Sequence, residues 1–105
     1  MGNYRSRLEI IADVLRVVSG NAKKTQIMYQ ANLSYRVLQK YLAEITGASL
    51  INFEDERRCY ILTVKGREFL DAYQEYFKTN RHVEKRLNDV RNKKNFLEKL
   101  CSGEQ

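Results

Sequence analysis

The chain has 105 residues, 43% of them apolar and none of them proline, which leaves room for one hydrophobic core of modest size and excludes a second substrate domain. Nineteen Lys and Arg against 13 Asp and Glu give a formal charge of +6 and a pI near 9.4, a balance that favours a polyanionic partner without requiring one. Cys59 and Cys101 are too few for a disulfide scaffold and lack metal-ligand spacing, and no apolar run approaches a bilayer span; the expected setting is reducing and cytoplasmic, with no membrane partner. Met1-Gly2 with Ser6 meets the bare myristoylation pattern, too short a match to read as a lipid anchor.

Leu8, Ile11, Ala12, Leu15 and Val18 recur at helical spacing and predict a first helix from about Tyr4 to Val18, stopped by Gly20-Asn21. Thr25 is the expected N-cap of a short second helix carrying Ile27, Met28 and Ala31, which Asn32-Leu33 breaks. Ser34 caps a third helix, 34–46, that buries Val37, Leu38, Tyr41, Leu42 and Ile45 and turns Tyr35, Arg36, Gln39 and Lys40 outward. Gly47 suits the left-handed conformation at its end. The β-prone runs 50–53 and 59–62 flank a charged tip, Glu54-Asp55-Glu56-Arg57-Arg58, and read as a two-stranded hairpin that must pack on the helices. Thr63 then caps a helix that nothing stops before about Leu100.

Within that last helix Phe69, Tyr73, Tyr76, Asn80, Val83, Leu87, Val90, Lys94, Leu97 and Cys101 fall alternately four and three residues apart. Such a heptad seam would be left wet on a lone helix, so a homodimeric coiled coil is expected, the alternative being a helix folded back on its own head. The polar seam residues Asn80 and Lys94 are expected to help fix register. The domain reading is a head over 1–66, a dimerisation helix over 67–101 and a disordered tail over 102–105.

Three helices, a hairpin and a further helix, in that order, define a mainly α fold with a small β-hairpin: a winged helix-turn-helix head plus a long C-terminal helix. A helix fits the major groove of duplex DNA, and arginine, glutamine and lysine reach base edges or phosphates. Arg36 and Gln39 are therefore the candidates for base edges, with Lys40 and the Tyr35 hydroxyl on phosphate. Lys23 and Lys24 stand at the start of the second helix, where free backbone N–H groups also favour an anion. Arg57 and Arg58 suit the minor groove, although the three carboxylates before them repel a DNA backbone unless they point away; the wing stays open between the two. Arg5 and Arg7 are further candidates for backbone contact.

Most of the positive excess lies late in the chain: 78–100 holds eight Lys and Arg against three Asp and Glu. It serves either to keep a coiled coil soluble or to bring Arg81, Lys85, Arg86, Arg91 and Lys93 to a second stretch of DNA backbone. His82, the single histidine, has no nucleophile or carboxylate cluster around it, so neither an enzyme nor a cofactor, metal or small-molecule substrate is expected. Cys59 reads as a small buried apolar residue and Cys101 as an exposed thiol. The seven tyrosines suggest stacking on single-stranded bases, but Tyr41, Tyr73 and Tyr76 fall on stripes expected to be buried.

Leu8-Glu9-Ile10-Ile11, the run Lys24-Thr25-Gln26-Ile27-Met28-Tyr29-Gln30-Ala31-Asn32-Leu33-Ser34-Tyr35, and Tyr60-Ile61-Leu62-Thr63-Val64-Lys65-Gly66 together resemble the small archaeal winged-helix DNA-binding proteins of the Sulfolobus ten-a type. The resemblance covers nearly the whole chain; its middle run is the specific part, while the Leu-Thr-x-Lys-Gly ending is shared by many winged-helix proteins. It implies a homodimer joined through an antiparallel coiled coil of the last helices, with a duplex-DNA-binding head at each end and a nucleoid-associated role as a chromatin protein or transcription regulator. A helix from Thr63 to about Leu100 spans roughly 55 Å, so antiparallel pairing would hold the heads too far apart for half-sites roughly 34 Å apart. The competing functional reading is a winged-helix protein-interaction module that binds no DNA.

Overall fold

The computed structural model describes residues 5–102. Its elements run α1 (Arg7–Val18), α2 (Lys24–Gln30), α3 (Tyr35–Gly47), β1 (Ile51–Glu54), β2 (Cys59–Leu62) and α4 (Val64–Cys101), the mainly α winged-helix order read from the sequence. The start of a helix at Tyr4, the Met1-Gly2 pattern and the tail residues 103–105 lie outside the described residues.

Helix α1 begins at Arg7, where Ser6 closes a capping box: its Oγ accepts the Glu9 N–H at 3.1 Å while Glu9 Oε1 accepts the Ser6 N–H at 2.8 Å. Its core face is Ile11, Ala12, Val14, Leu15 and Val18; Leu8, expected inside, is exposed in the first turn. Helix α2 starts at Lys24 after an extended Lys23, so Thr25 lies inside the first turn rather than capping it. Ser34 does cap α3, accepting the Val37 N–H at 3.2 Å. Gly47 is the last residue of that helix, and the left-handed position falls on Ser49 (φ 64). Asn21, Asn32 and Arg58 hold the other left-handed turns, and asparagine is among the residues that tolerate them best.

Strands β1 and β2 pair antiparallel with Ile51 opposite Leu62 and Phe53 opposite Tyr60, whose rings meet edge to face at 5.0 Å. A third, single-residue bridge joins the hairpin to the helices: Ala22 and Tyr60 exchange backbone hydrogen bonds of 3.2 and 2.7 Å. Sequence periodicity gives no sign of this bridge, since one residue has no period. The core under the hairpin is built from the inner faces of α1 to α3 with Leu50, Ile51, Leu70 and Tyr73.

The Leu62–Gly66 run ties the α3–β1 loop to the start of α4. Thr63 Oγ1 accepts the Gly66 N–H at 2.9 Å and donates to the carbonyls of Ser49 and Leu50 at 2.7 and 3.0 Å. Lys65 Nζ donates to the Ala48 carbonyl at 2.8 Å. Gly66 is there because a Cβ would lie 2.2 Å from the Leu50 carbonyl oxygen.

One compact unit ends at Tyr73 and a second begins at Gln74, whereas the sequence suggests a boundary after Gly66. The shift has a packing cause: Leu70 and Tyr73 lie in the core of the first unit, with Phe69 against it. The second unit is the remainder of α4, helical to Cys101 and solvent-exposed at every described position.

Candidate nucleic-acid interface

Helix α3 turns Leu38, Tyr41, Leu42 and Ile45 inward, and at 100° per residue this leaves Arg36, Gln39, Lys40, Ala43 and Gly47 together on the opposite side. All five are exposed, and two of them are small enough for another backbone to approach closely. The one carboxylate of α3, Glu44, sits to the side and accepts the guanidinium of Arg7. The outward face is therefore free of negative charge. Lys40 Nζ stands 5.6 Å from the Tyr41 ring, and Arg36 takes part in no salt bridge among the described residues.

The expected site residues of α2 and α3 come together. Lys24 Nζ lies 4.8 Å over the Tyr35 ring and donates to its hydroxyl oxygen at 3.3 Å, so the cation and the phenol form one polar corner at the start of the two helices. Accepting that bond leaves the Tyr35 hydroxyl a proton to donate. Lys23 is exposed beside it. Because α2 has seven residues, its dipole adds little, and the ammonium groups carry the positive potential.

The wing divides its two arginines. Arg57 is held by Glu54, with Nε 2.9 Å from Oε1 and Nη2 donating to Oε2 at 3.3 Å. Arg58 is exposed at a left-handed tip position and takes part in no salt bridge among the described residues.

Arg5 and Arg7, candidates for an outside partner, have inside ones instead. Arg5 Nη1 donates to Asp13 Oδ2 at 2.7 Å and to the Ala31 carbonyl at 2.8 Å, and Nη2 to the Asn32 carbonyl at 2.8 Å. It clasps the α2–α3 turn, satisfying carbonyls that the end of α2 leaves open. Sequence reading also misses Tyr29, whose side chain is 78% exposed on α2. The signal is present, since Ile27 and Ala31 one turn apart both face the core and Tyr29 lies between them on the far side.

In α4 the seam divides too. Phe69 and Tyr73 stack at 6.3 Å in the first unit, where Tyr73 is only 8% exposed and the Arg16 guanidinium lies 5.8 Å from its ring. These two seam positions are therefore packed within the single chain. In the second unit Tyr76, Val83, Leu87, Val90 and Leu97 are half exposed or more, and so are Phe96 and Leu100, which the heptad spacing leaves out. Asn80, Lys94 and Cys101 are exposed on the same seam. Among the described residues no three His, Cys, Asp or Glu side chains are grouped to hold a metal, and no helix is long and apolar enough to cross a membrane.

Three helices, a paired wing and a third helix whose outward face carries no carboxylate define a winged helix-turn-helix protein. The chain belongs to the winged helix-turn-helix family, whose model matches residues 4–81. Two uncharacterised proteins of Methanocaldococcus jannaschii, MJ0290 and MJ0287, are 33% and 32% identical to it over 75 and 74 residues, each alignment covering 70% of this chain. The match covers 74% of MJ0287 but 35% of MJ0290, so the chain spans about a third of the latter's length. Among solved structures it resembles Sso10a-2, a DNA-binding protein from Sulfolobus solfataricus, with 27% identity and a TM-score of 0.77 over 84% of this chain and 95% of that one.

Proposed function

We propose that this protein is a non-enzymatic, homodimeric binder of duplex DNA that acts in the nucleoid as a transcription regulator or chromatin-organising protein. The observation that carries the reading is the face of α3: Arg36, Gln39 and Lys40 are exposed together, with Glu44 neutralised by Arg7. Arg36 and Gln39 have the donor patterns for base edges in the major groove, Arg36 for guanine and Gln39 for adenine. Lys40, Lys23 and the Lys24–Tyr35 corner supply phosphate contacts that set orientation. At the wing, Arg58 is the contact, because part of the Arg57 charge is already engaged by Glu54. That Sso10a-2 is a DNA-binding protein supports the assignment.

The dimer rests on the seam of the second unit, where Val83, Leu87, Val90 and Leu97 are each at least 50% exposed in the single chain. Burying such residues against a second copy removes apolar surface from water, at about 25 cal/mol per Å². The resemblance to the ten-a type favours an antiparallel arrangement. Titrating a random duplex at two salt concentrations tests the function. Phosphate-driven binding falls steeply as salt rises, whereas no binding even at low salt would favour a protein-interaction module.

A further inference from the structure

On the side of α4 turned away from the apolar seam, the second unit carries a stripe of different chemistry. Seven residues are close to two helical turns, so Lys78, Lys85, Asn92 and Lys99 form one row and Arg81 and Asn88 a neighbouring one. Neither row contains a carboxylate; Glu75, Glu84, Asp89 and Glu98 lie on the flanks. Lys78, Arg81 and Lys85 line one shallow groove with His82, and no salt bridge among the described residues engages any of the three. The Arg81 guanidinium lies 5.9 Å from the Phe77 ring, laid against the helix and still charged toward solvent.

Solubility alone does not account for this pattern. Like charges three and four residues apart, as at Lys78, Arg81 and Lys85, destabilise a helix, and interspersed opposite charges would serve solubility without that cost. The stripe also stays exposed when the seam closes on a second copy, because it lies on the other side of the helix. Its reach fits a duplex: Lys78 to Lys99 covers about 32 Å at 1.5 Å per residue, close to the roughly 34 Å of one turn, and a straight rod laid along a duplex meets a given strand once per turn.

We propose that this outer face of Gln74–Cys101 is a second, sequence-independent contact for the phosphate backbone of duplex DNA, additional to the contact made by α3. The inference rests on the duplex-binding reading given above. Lys78, Arg81 and Lys85 hold the backbone toward one end of the stripe and Lys99 at the other, with Asn88 and Asn92 as neutral donors between them.

The test compares two full-length triple variants of equal charge by fluorescence anisotropy on a random duplex across a salt series. One is Lys78→Gln/Arg81→Gln/Lys85→Gln on the stripe; the other is Arg86→Gln/Arg91→Gln/Lys93→Gln on the flanks. The stripe triple should weaken binding and lower the slope of log affinity against log salt by about one for each phosphate no longer neutralised, with a clearly smaller change in the flank triple. The double variant Lys78→Arg/Lys85→Arg should keep the wild-type slope. A wild-type slope in the stripe triple, or equal losses of affinity in the two triples, would overturn the stripe while leaving duplex binding by the head intact. Absence of any wild-type binding at low salt would instead remove the duplex-binding reading and the stripe with it. Helix content by circular dichroism checks folding, and should the stripe triple misfold, Lys78→Gln/Lys85→Gln carries the same comparison.

Discussion

A methyl group at Gly66 would stand 2.2 Å from the carbonyl oxygen of Leu50 and 2.6 Å from Cδ1 of Leu62. The first neighbour is backbone, already accepting from the Thr63 N–H and hydroxyl, and cannot move without loosening the start of α4. Gly66→Ala should therefore destabilise the fold toward the upper end of the about 1–3 kcal/mol typical of overpacking, even though alanine gains about 1 kcal/mol in helix propensity. Urea unfolding followed by circular dichroism measures this, and a variant as stable as the wild type would contradict the packing described. At this scale the sequence is legible where a residue acts on its near neighbours. Ser34 as a cap and the buried Leu38, Leu42 and Ile45 follow from local spacing. It is not legible where a side chain acts across the fold: Arg5 reaches 26 residues along the chain to the Ala31 carbonyl, and Arg7 reaches Glu44. A basic residue near a terminus reads the same whether its partner is a carbonyl of its own chain or a phosphate.

Among the elements, α4 has two environments in one helix. Its first turns are welded into the core by Leu70 and Tyr73, and its later turns expose Leu87 and Val90. The heptad spacing runs through both without a break, so spacing alone puts Phe69 and Tyr73 on the seam along with Leu87. Periodicity records which side of a helix is apolar but not what lies against it. Leu87→Asp, placed in the middle of the exposed stretch, should put a charge into an apolar layer and shift the protein to monomer, while unfolding of the head changes little. Sedimentation equilibrium decides, and an unchanged dimer would exclude this helix as the interface. The hairpin is readable as two β-prone runs with a charged tip, although β1 is shifted by one residue to Ile51–Glu54.

For the whole molecule, the uneven charge matters most. Of the net +6, the segment 78–100 alone contributes eight Lys and Arg against three Asp and Glu, whereas the face of α3 depends on a few placed side chains. The long-range, salt-sensitive part of binding is thus expected from α4 and the selective part from α3. The pairing of the proposed dimer can be read at Cys101, which is exposed. Antiparallel pairing of the exposed stretch holds the two thiols on the order of 40 Å apart, while parallel pairing brings them into contact. Under mild oxidation the isolated dimer should remain uncrosslinked, and efficient Cys101–Cys101 disulfide formation within it would establish a parallel coil.

Duplex recognition by α3 is the claim on which the rest depends, and its most direct test is to remove the two side chains assigned to base edges. Arg36→Ala/Gln39→Ala leaves the core and the α4 seam untouched, so helix content and dimer mass should match the wild type. Titrated against duplex DNA, the variant should lose about 1–3 kcal/mol for each bidentate base contact at a preferred site, and less on random sequence, where phosphate contacts dominate. Equal affinity of variant and wild type on both duplexes would take α3 out of the interface and contradict the assignment.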